Sequence, residues 1–391
     1  MPTARGWAAL GVAGALLVLW IGFGEVELMT TAVFLLAAVV VGLVLVGVRG
    51  SAVSLTRRLS PAQAHEGDTV VVEVEVAAAR RLRNVIVEDA VHGLGVARFA
   101  AATIAGPAVA RYEVHCRFRG AYAVGPAEVS VMDPFGLSEL RYRAGTTDRL
   151  LVYPRVERLS GLPEVRGLDP AVHAARPTFA PHGGEDFFTL REYQVGDDLR
   201  RVHWPSSAKR DSLVIKQLEV PWQTRALVLL DVRAERYPID EAFEHAVRGA
   251  AAAISHLHEA GFSPELWVAP GVNGPRPGNR YHQAMDTLAT VRTIRNLDHQ
   301  RTLARLRRKG IGGGVLVFVT GGFDEGALST MRLLGRDFSR TVVMVVSDGE
   351  GPVSTALQRA GAVTVMAGPD GRWALGWKTA MEASWSTASA G

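Results

Sequence analysis

The sequence predicts three regions in series: two N-terminal transmembrane helices, a small antiparallel β domain of sandwich or barrel type, and an α/β doubly wound domain. Three observations predict them. Two uncharged apolar runs stand near the N-terminus, a period-two alternation of Val with acid follows, and from Ala226 onward short apolar runs alternate with segments of helical period. The boundaries that follow are 1–51 for a membrane hairpin, 52–150 for the β domain, 151–185 for a connector, 186–220 for a dense polar stretch, 221–367 for the α/β domain and 368–391 for a frayed tail.

Trp7–Phe23 carries no charge, and Leu28–Val48 is a second such run beyond the turn Gly24-Glu25-Val26-Glu27. At about 1.5 Å per residue the second run crosses a hydrocarbon core of roughly 30 Å unaided, while the first is at the short end. Arg5 lies before the pair, Arg49, Arg57 and Arg58 lie after it, and only acids occupy the turn. The positive-inside rule therefore expects a multi-pass inner-membrane protein with both termini and the soluble regions cytoplasmic. A cleaved signal peptide is the rival reading of the first run.

Thr69–Val76 alternates Val with Glu73 and Glu75 after the Glu66-Gly67-Asp68 turn, as a half-buried strand does. Further strand-like runs stand at Asn84–Glu88, Ala110–Arg119 and Ala127–Met132. Arg119-Gly120-Ala121-Tyr122 and Asp133-Pro134-Phe135-Gly136-Leu137 read as turns with aromatic plugs, and the Pro-punctuated run Val156–Pro181 reads as an extended connector.

Leu190–Glu219 concentrates Arg191, Glu192, Tyr193, Asp197, Asp198, Arg200, Arg201, His203, Trp204, Lys209 and Arg210. Asp197 after Gly196 reads as a helix N-cap, with Pro205 stopping a short helix at Trp204, so that Arg200, His203 and Trp204 share one face. In chemical terms the run is a stapling Arg–Asp network with Trp204 as packing anchor, a partner-docking surface, or an acid/base centre on Asp197, Arg200 and His203. No nucleophile at fixed spacing accompanies His203, and Ser206 and Ser207 beside Pro205 read as turn residues.

In the α/β region, Ala226–Leu230 is a buried parallel strand ending at Asp231. Phe243, Val247, Ala250, Ile254 and Leu257 recur at helical spacing, and Gly261 stops that helix. Strand candidates follow at Glu265–Ala269, Val315–Thr320, Thr341–Ser347 and Ala362–Met366, with helical runs near 282–295, 299–309, 325–335 and 353–360. Ligands of such sheets sit beyond the carboxyl ends of the strands, where Asp231, Thr320 and Asp324 fall. Lys309–Gly314 precedes a strand, so it reads as a loop and not as a dinucleotide cradle. Arg301–Lys309 reads as a basic amphipathic helix, a solvated face or one apposed to anionic lipid.

The pattern Arg191, Tyr193, Gly196, Asp197, Arg200, His203 and Trp204 resembles the signature of the domain-of-unknown-function 58 family, with Val202 and Pro205 departing from it. The resemblance extends to Arg119–Tyr122 and Asp133–Leu137, and it implies a von Willebrand factor A-like (vWA-like) α/β domain and a MoxR-type AAA+ ATPase as frequent partner. Such a domain carries a metal-ion-dependent adhesion site of Asp-x-Ser-x-Ser with a distant Thr and Asp. Here Arg233 and Glu235 stand at the Ser positions after Asp231, so Asp231, Thr320 and Asp324 form a degenerate site, with no cofactor expected and Mg²⁺ the only candidate.

Composition narrows the rest. At 391 residues with 48% hydrophobic and 21% charged content, the chain is globular, and its single Cys116 excludes an intramolecular disulfide or a Cys-built zinc cluster. A formal charge of +4 does not call for nucleic acid. The expectation is a membrane-anchored protein-interaction module, an adaptor for a MoxR-type ATPase in assembly or envelope-related processes, whose partners are that ATPase and the lipid bilayer, with no nucleic acid and no small-molecule substrate. The alternatives are an enzyme on the Asp197/Arg200/His203 cluster and a basic, membrane-apposed nucleic-acid-binding module.

Overall fold

The computed structural model of the chain describes residues 1–49, 53–78, 81–161, 189–192, 202–210, 212–217, 225–268, 279–297, 314–322, 328, 331–332, 334–347 and 352–388. The chain divides into two compact bodies, Met1–Val156 with Met285–Arg292, and Glu157–Ala284 with Thr293–Gly391.

In the first body two apolar helices, α1 (Ala4–Phe23) and α2 (Val26–Arg49), pack against each other as a hairpin. Both are long and apolar enough to cross a membrane. Thr3 caps α1 by accepting from Gly6 N at 3.1 Å, and Gly24 ends it in the left-handed region (φ 73°), where a side chain would be strained.

The β-rich part forms two antiparallel-dominated sheets. The smaller runs β1 (Val53–Ser60), β3 (Thr69–Ala78), β6 (Ala108–His115). The larger runs β2 (Gln63–His65), β10 (Asp148–Tyr153), β7 (Gly120–Val124), β4 (Leu82–Val91), β8 (Ala127–Met132), β9 (Glu139–Ala144), with β5 (Gly95–Ile104) on β4. Val70, Val72, Val74 and Val76 of β3 enter one apolar cluster with Val85, Val87, Val129, Val131, Leu150 and Val152 of the other sheet, so the two sheets close as a sandwich. The alternation that predicted β3 is thus the inward face of that core.

Arg57 crosses between the sheets. Its Nε donates to Asp89 Oδ2 at 2.8 Å and its Nη1 to Asp148 Oδ2 at 2.9 Å, with the guanidinium buried. Tyr112 adds its hydroxyl to Asp89 Oδ2 at 2.8 Å, and burial, then that carboxylate, pushes the phenol's pKa up. Arg57, counted above with the cations flanking the hairpin, is therefore committed to the sandwich interior, where it cannot face a lipid headgroup.

In the second body the main sheet has the order β14 (Ser263–Trp267), β13 (Arg225–Leu230), β15 (Val315–Thr320), β16 (Arg340–Val346), β17 (Val363–Ala367), all parallel. Helices that follow its strands include α4 (Asp240–Glu259), α6 (Pro352–Arg359) and α7 (Trp373–Ala388), while α5 (Arg280–Thr290) belongs to this body up to Ala284 and to the first body from Met285. In order of appearance the strands read 2-1-3-4-5, so the direction of winding reverses between β13 and β15. Phe243, Val247, Ala250, Ile254 and Leu257 are all buried along α4, as their spacing required.

The segment read as a frayed tail is the helix α7. Trp373, Trp377 and Met381, four residues apart, form its buried stripe, and both Trp side chains are fully covered. Trp373 stacks on His245 (centroids 4.8 Å apart) and donates Nε1–H to His245 O at 2.9 Å, while Trp377 donates to Gly161 O at 3.0 Å. The helical runs near 299–309, the basic face Arg301–Lys309 and most of Lys309–Gly314 lie outside the described residues.

Candidate functional site

Two constellations lie in the second body. The first is at the winding reversal of the sheet. Asp231 follows β13 and Thr320 ends β15, and parallel pairing of these neighbours brings the two residues together. Thr320 Oγ1 lies 3.0 Å from Asp231 Oδ2. Asp324, expected beside them, lies outside the described residues.

Asp231 is only 3% exposed, and its carboxylate is already occupied. Arg233 folds back on it: Nε donates to Oδ1 at 2.9 Å, Nη2 to Oδ2 at 2.6 Å, and the Arg233 backbone N–H to Oδ1 at 3.1 Å. With Thr320 these contacts take up the four or so lone-pair directions a carboxylate offers. The guanidinium covers both oxygens that a divalent ion would need. The residues present therefore do not fit Mg²⁺, because coordination would require displacing a paired, buried cation.

The surroundings hold this arrangement in place. Tyr237 donates its hydroxyl to Asp231 O at 2.6 Å, and burial, then the Asp231 charge, raises the phenol's pKa well above its ordinary value. Glu235 accepts from Asn296 N at 3.0 Å, and that hydrogen bond draws its pKa down. Neither Tyr237 nor Asn296 was legible as part of this site in the sequence. The partnership with Tyr237 depends on a 3-10 turn, Ala234–Arg236, that swings the ring back under the strand end.

The second constellation is the polar stretch. A two-stranded antiparallel ribbon, β11 (Thr189–Glu192) with β12 (Val214–Gln217), pairs Arg191 with Ile215, and the short helix α3 (Trp204–Arg210) precedes β12. Pro205 is the second residue of this helix and does not stop it. It sits in the first turn, where no backbone N–H partner is lost, and His203 caps the turn by accepting from Ser206 N and Ser207 N at 3.1 and 3.0 Å. His203 therefore caps α3 and Trp204 stands at its start. Tyr193, Gly196, Asp197, Arg200 and Arg201 lie outside the described residues.

Two side chains here differ from expectation. Trp204, a packing anchor on the stapling reading of this stretch, is 68% exposed. Ser206, read as a turn residue, places Oγ 2.8 Å from His203 Nδ1, because a cap and the third residue after it face each other across a first turn. Ser207 is the structural member: its buried Oγ accepts from Val214 N at 2.9 Å and ties α3 to β12. His203 N donates to Val214 O at 2.8 Å on the same strand.

Residues 189–262 match the family described as "Protein of unknown function DUF58". That span runs from β11 through α4 and holds both constellations up to Asp231 and Arg233. The chain is 25% identical over 250 residues to "Uncharacterized protein YeaD" of Bacillus subtilis (strain 168), covering 63% of this chain and 61% of that protein's length. Among solved structures, the CARDB domain of the PF1109 protein from Pyrococcus furiosus aligns with 26% of this chain and 86% of its own at 13% identity and TM-score 0.21. The PKD domain of an M14-like peptidase from a Thermoplasmatales archaeon aligns with 24% of this chain and 94% of its own, at 12% identity and TM-score 0.17. At these scores neither likeness carries a functional argument.

Proposed function

From the premise that this chain is a DUF58 protein across residues 189–262, we propose that it is a membrane-anchored protein-interaction module whose docking surface is the segment around Trp204. The carrying observation is the exposure of Trp204 at the start of a helix that is pinned to β12 at its middle through Ser207. An indole left in water costs free energy unless a partner covers it, and Trp is prominent among interface anchors. The α/β body acts in this reading as a vWA-like scaffold with a closed adhesion site, since Arg233 supplies the positive charge that a metal would bring. The hairpin anchors the protein in an inner membrane with both termini in the cytoplasm, a placement favoured by Arg5 and Arg58 on one side and Glu25 and Glu27 on the other. A MoxR-type AAA+ ATPase is the proposed partner.

The test is affinity capture of the full chain from native membranes, wild type beside Trp204→Ala. Recovery of an AAA+ ATPase with the wild type and its loss with the variant supports the reading. Equal recovery with both places the docking surface elsewhere.

The His203–Ser206 pair favours a second reading, a hydrolase in which Ser206 is the nucleophile and His203 its base. A fluorophosphonate probe that labels the wild type and not Ser206→Ala would establish it, and absence of labelling would leave the docking reading standing.

A further inference from the structure

The turn between β8 and β9, Asp133–Ser138, is locked onto the helical hairpin. Thr3 donates its N–H to Leu137 O at 2.9 Å and its hydroxyl to Gly136 O at 2.6 Å, and Glu139 N donates to Met1 O at 2.8 Å. On the other helix, Ser138 Oγ lies 3.4 Å from Val39 O. Two glycines permit this approach: a Cβ on Gly6 would lie 2.1 Å from Leu137 O, and one on Gly42 would lie 3.0 Å from Ser138 Oγ. Asp133 holds the turn's own shape by accepting from Phe135 N at 2.7 Å and from Ser138 N. Asp133 and Ser138 are buried, yet Phe135, expected as an aromatic plug, is 70% exposed at the tip.

Helix rise sets the depth of this turn. Gly6 on α1 and Gly42 on α2 both stand about 25–28 Å from the acidic turn at Glu25, at about 1.5 Å per residue. A hydrocarbon core is about 30 Å thick, so with Glu25 at one boundary the two glycines stand just inside the other. Trp7, 64% exposed, is at the same level, where the amphipathic rings of Trp and Tyr concentrate in membrane proteins. Arg5 is one residue before Gly6, and its guanidinium reaches within 3.9 Å of where a Cβ on Gly136 would be. Two uncovered aromatic rings and a cation thus share one level, continuous with the apolar surface of the hairpin.

We infer that the Asp133–Ser138 turn is a membrane-interface contact, in which Phe135 enters the layer between acyl chains and headgroups beside Trp7 while Arg5 faces lipid phosphate. The inference rests on the hairpin spanning the bilayer. It gives the sandwich a second attachment to the membrane besides the chain linkage at β1, fixing its height.

The test places a nitroxide label at one site at a time in the full chain carrying Cys116→Ala, reconstituted in phosphatidylethanolamine/phosphatidylglycerol vesicles. The sites are Phe135→Cys, Val18→Cys within α1 and Val96→Cys on the sandwich surface. Collision with oxygen reports lipid, and collision with a water-soluble nickel chelate reports water. The expected result is a nickel accessibility at 135 several-fold below that at 96, with oxygen favoured at both 135 and 18. A label at 135 that matches 96 while 18 stays in lipid overturns the inference and leaves the hairpin reading intact. A label at 18 that collides with nickel as 96 does overturns both.

Discussion

Arg233 Nη2 lies 2.6 Å from Asp231 Oδ2, and this contact decides the chemistry of the sheet's switch point. With the Asp231 side chain 1% exposed and that of Arg233 11% exposed, the pair is nearly free of water, so each charge is held by the other. Arg233→Ala strands the Asp231 charge. It should lower the stability of the α/β body by about 3 kcal/mol or more, read by thermal or chemical denaturation. Asp231→Asn with Arg233→Met together should be less damaging than Arg233→Ala alone. A double variant worse than the single would mean that the pair is not the main interaction of either residue.

The same contact predicts that calorimetry of the wild type shows no Mg²⁺ or Mn²⁺ binding tighter than millimolar. Arg233→Ser returns a hydroxyl and removes the competing cation, and it should raise divalent affinity. Micromolar binding by the wild type, abolished by Asp231→Ala, would contradict the occupancy argument.

Trp204→Ala should leave the melting temperature within about a degree, since surface substitutions are usually within about 0.5 kcal/mol. Association with the captured partner should weaken by roughly 2 kcal/mol. A large fall in melting temperature with unchanged binding would make Trp204 a structural residue.

Ser207→Ala acts through the mount. Its Oγ accepts the Val214 N–H, and removing it orphans a buried donor at a cost of about 1–3 kcal/mol. Loss of stability and of partner binding together is the expected outcome, in contrast to Trp204→Ala.

His245 gives a pH dependence of definite sign. Burial draws its pKa below the ordinary value of 6.5, and its Nε2 is buried without a hydrogen-bond partner among the described residues. The folded state therefore holds the neutral ring, and the unfolded chain takes up the proton first. This contribution is whole above pH 6.5 and is lost as pH falls from there toward the lowered folded value. His245→Phe preserves the stack on Trp373 and should flatten the decline in melting temperature over that interval. An unchanged decline would assign it to other groups.

What the sequence determined by itself is whatever a local period encodes. The apolar runs of the hairpin, the Val alternation of β3, the full extent of Val315–Thr320 and the stripe through Leu257 on α4 each repeat over one element, and period alone decides helix or strand and which face is inward. The strands β5, β7, β9 and β10 were less legible: their alternation is broken by Ala, Gly and Arg, and pairing with neighbours holds them. The helix α7 was hidden because its Trp373, Trp377 and Met381 stripe is sparse, and only the groove that receives it explains its burial. The tertiary structure alone decided where side chains with two options went. Trp204 and Phe135 are apolar, which argues for burial, but each stands at a turn or helix start where the chain runs along the surface and no second layer covers it. Asp231 could be placed at a strand end from sequence, yet whether it held an ion or an arginine depended on the backbone after it. The turn that returns Arg233 to the carboxylate is closed by Tyr237 and by the pairing of Ile294 with Val232, residues up to some sixty positions apart that proximity in sequence does not connect.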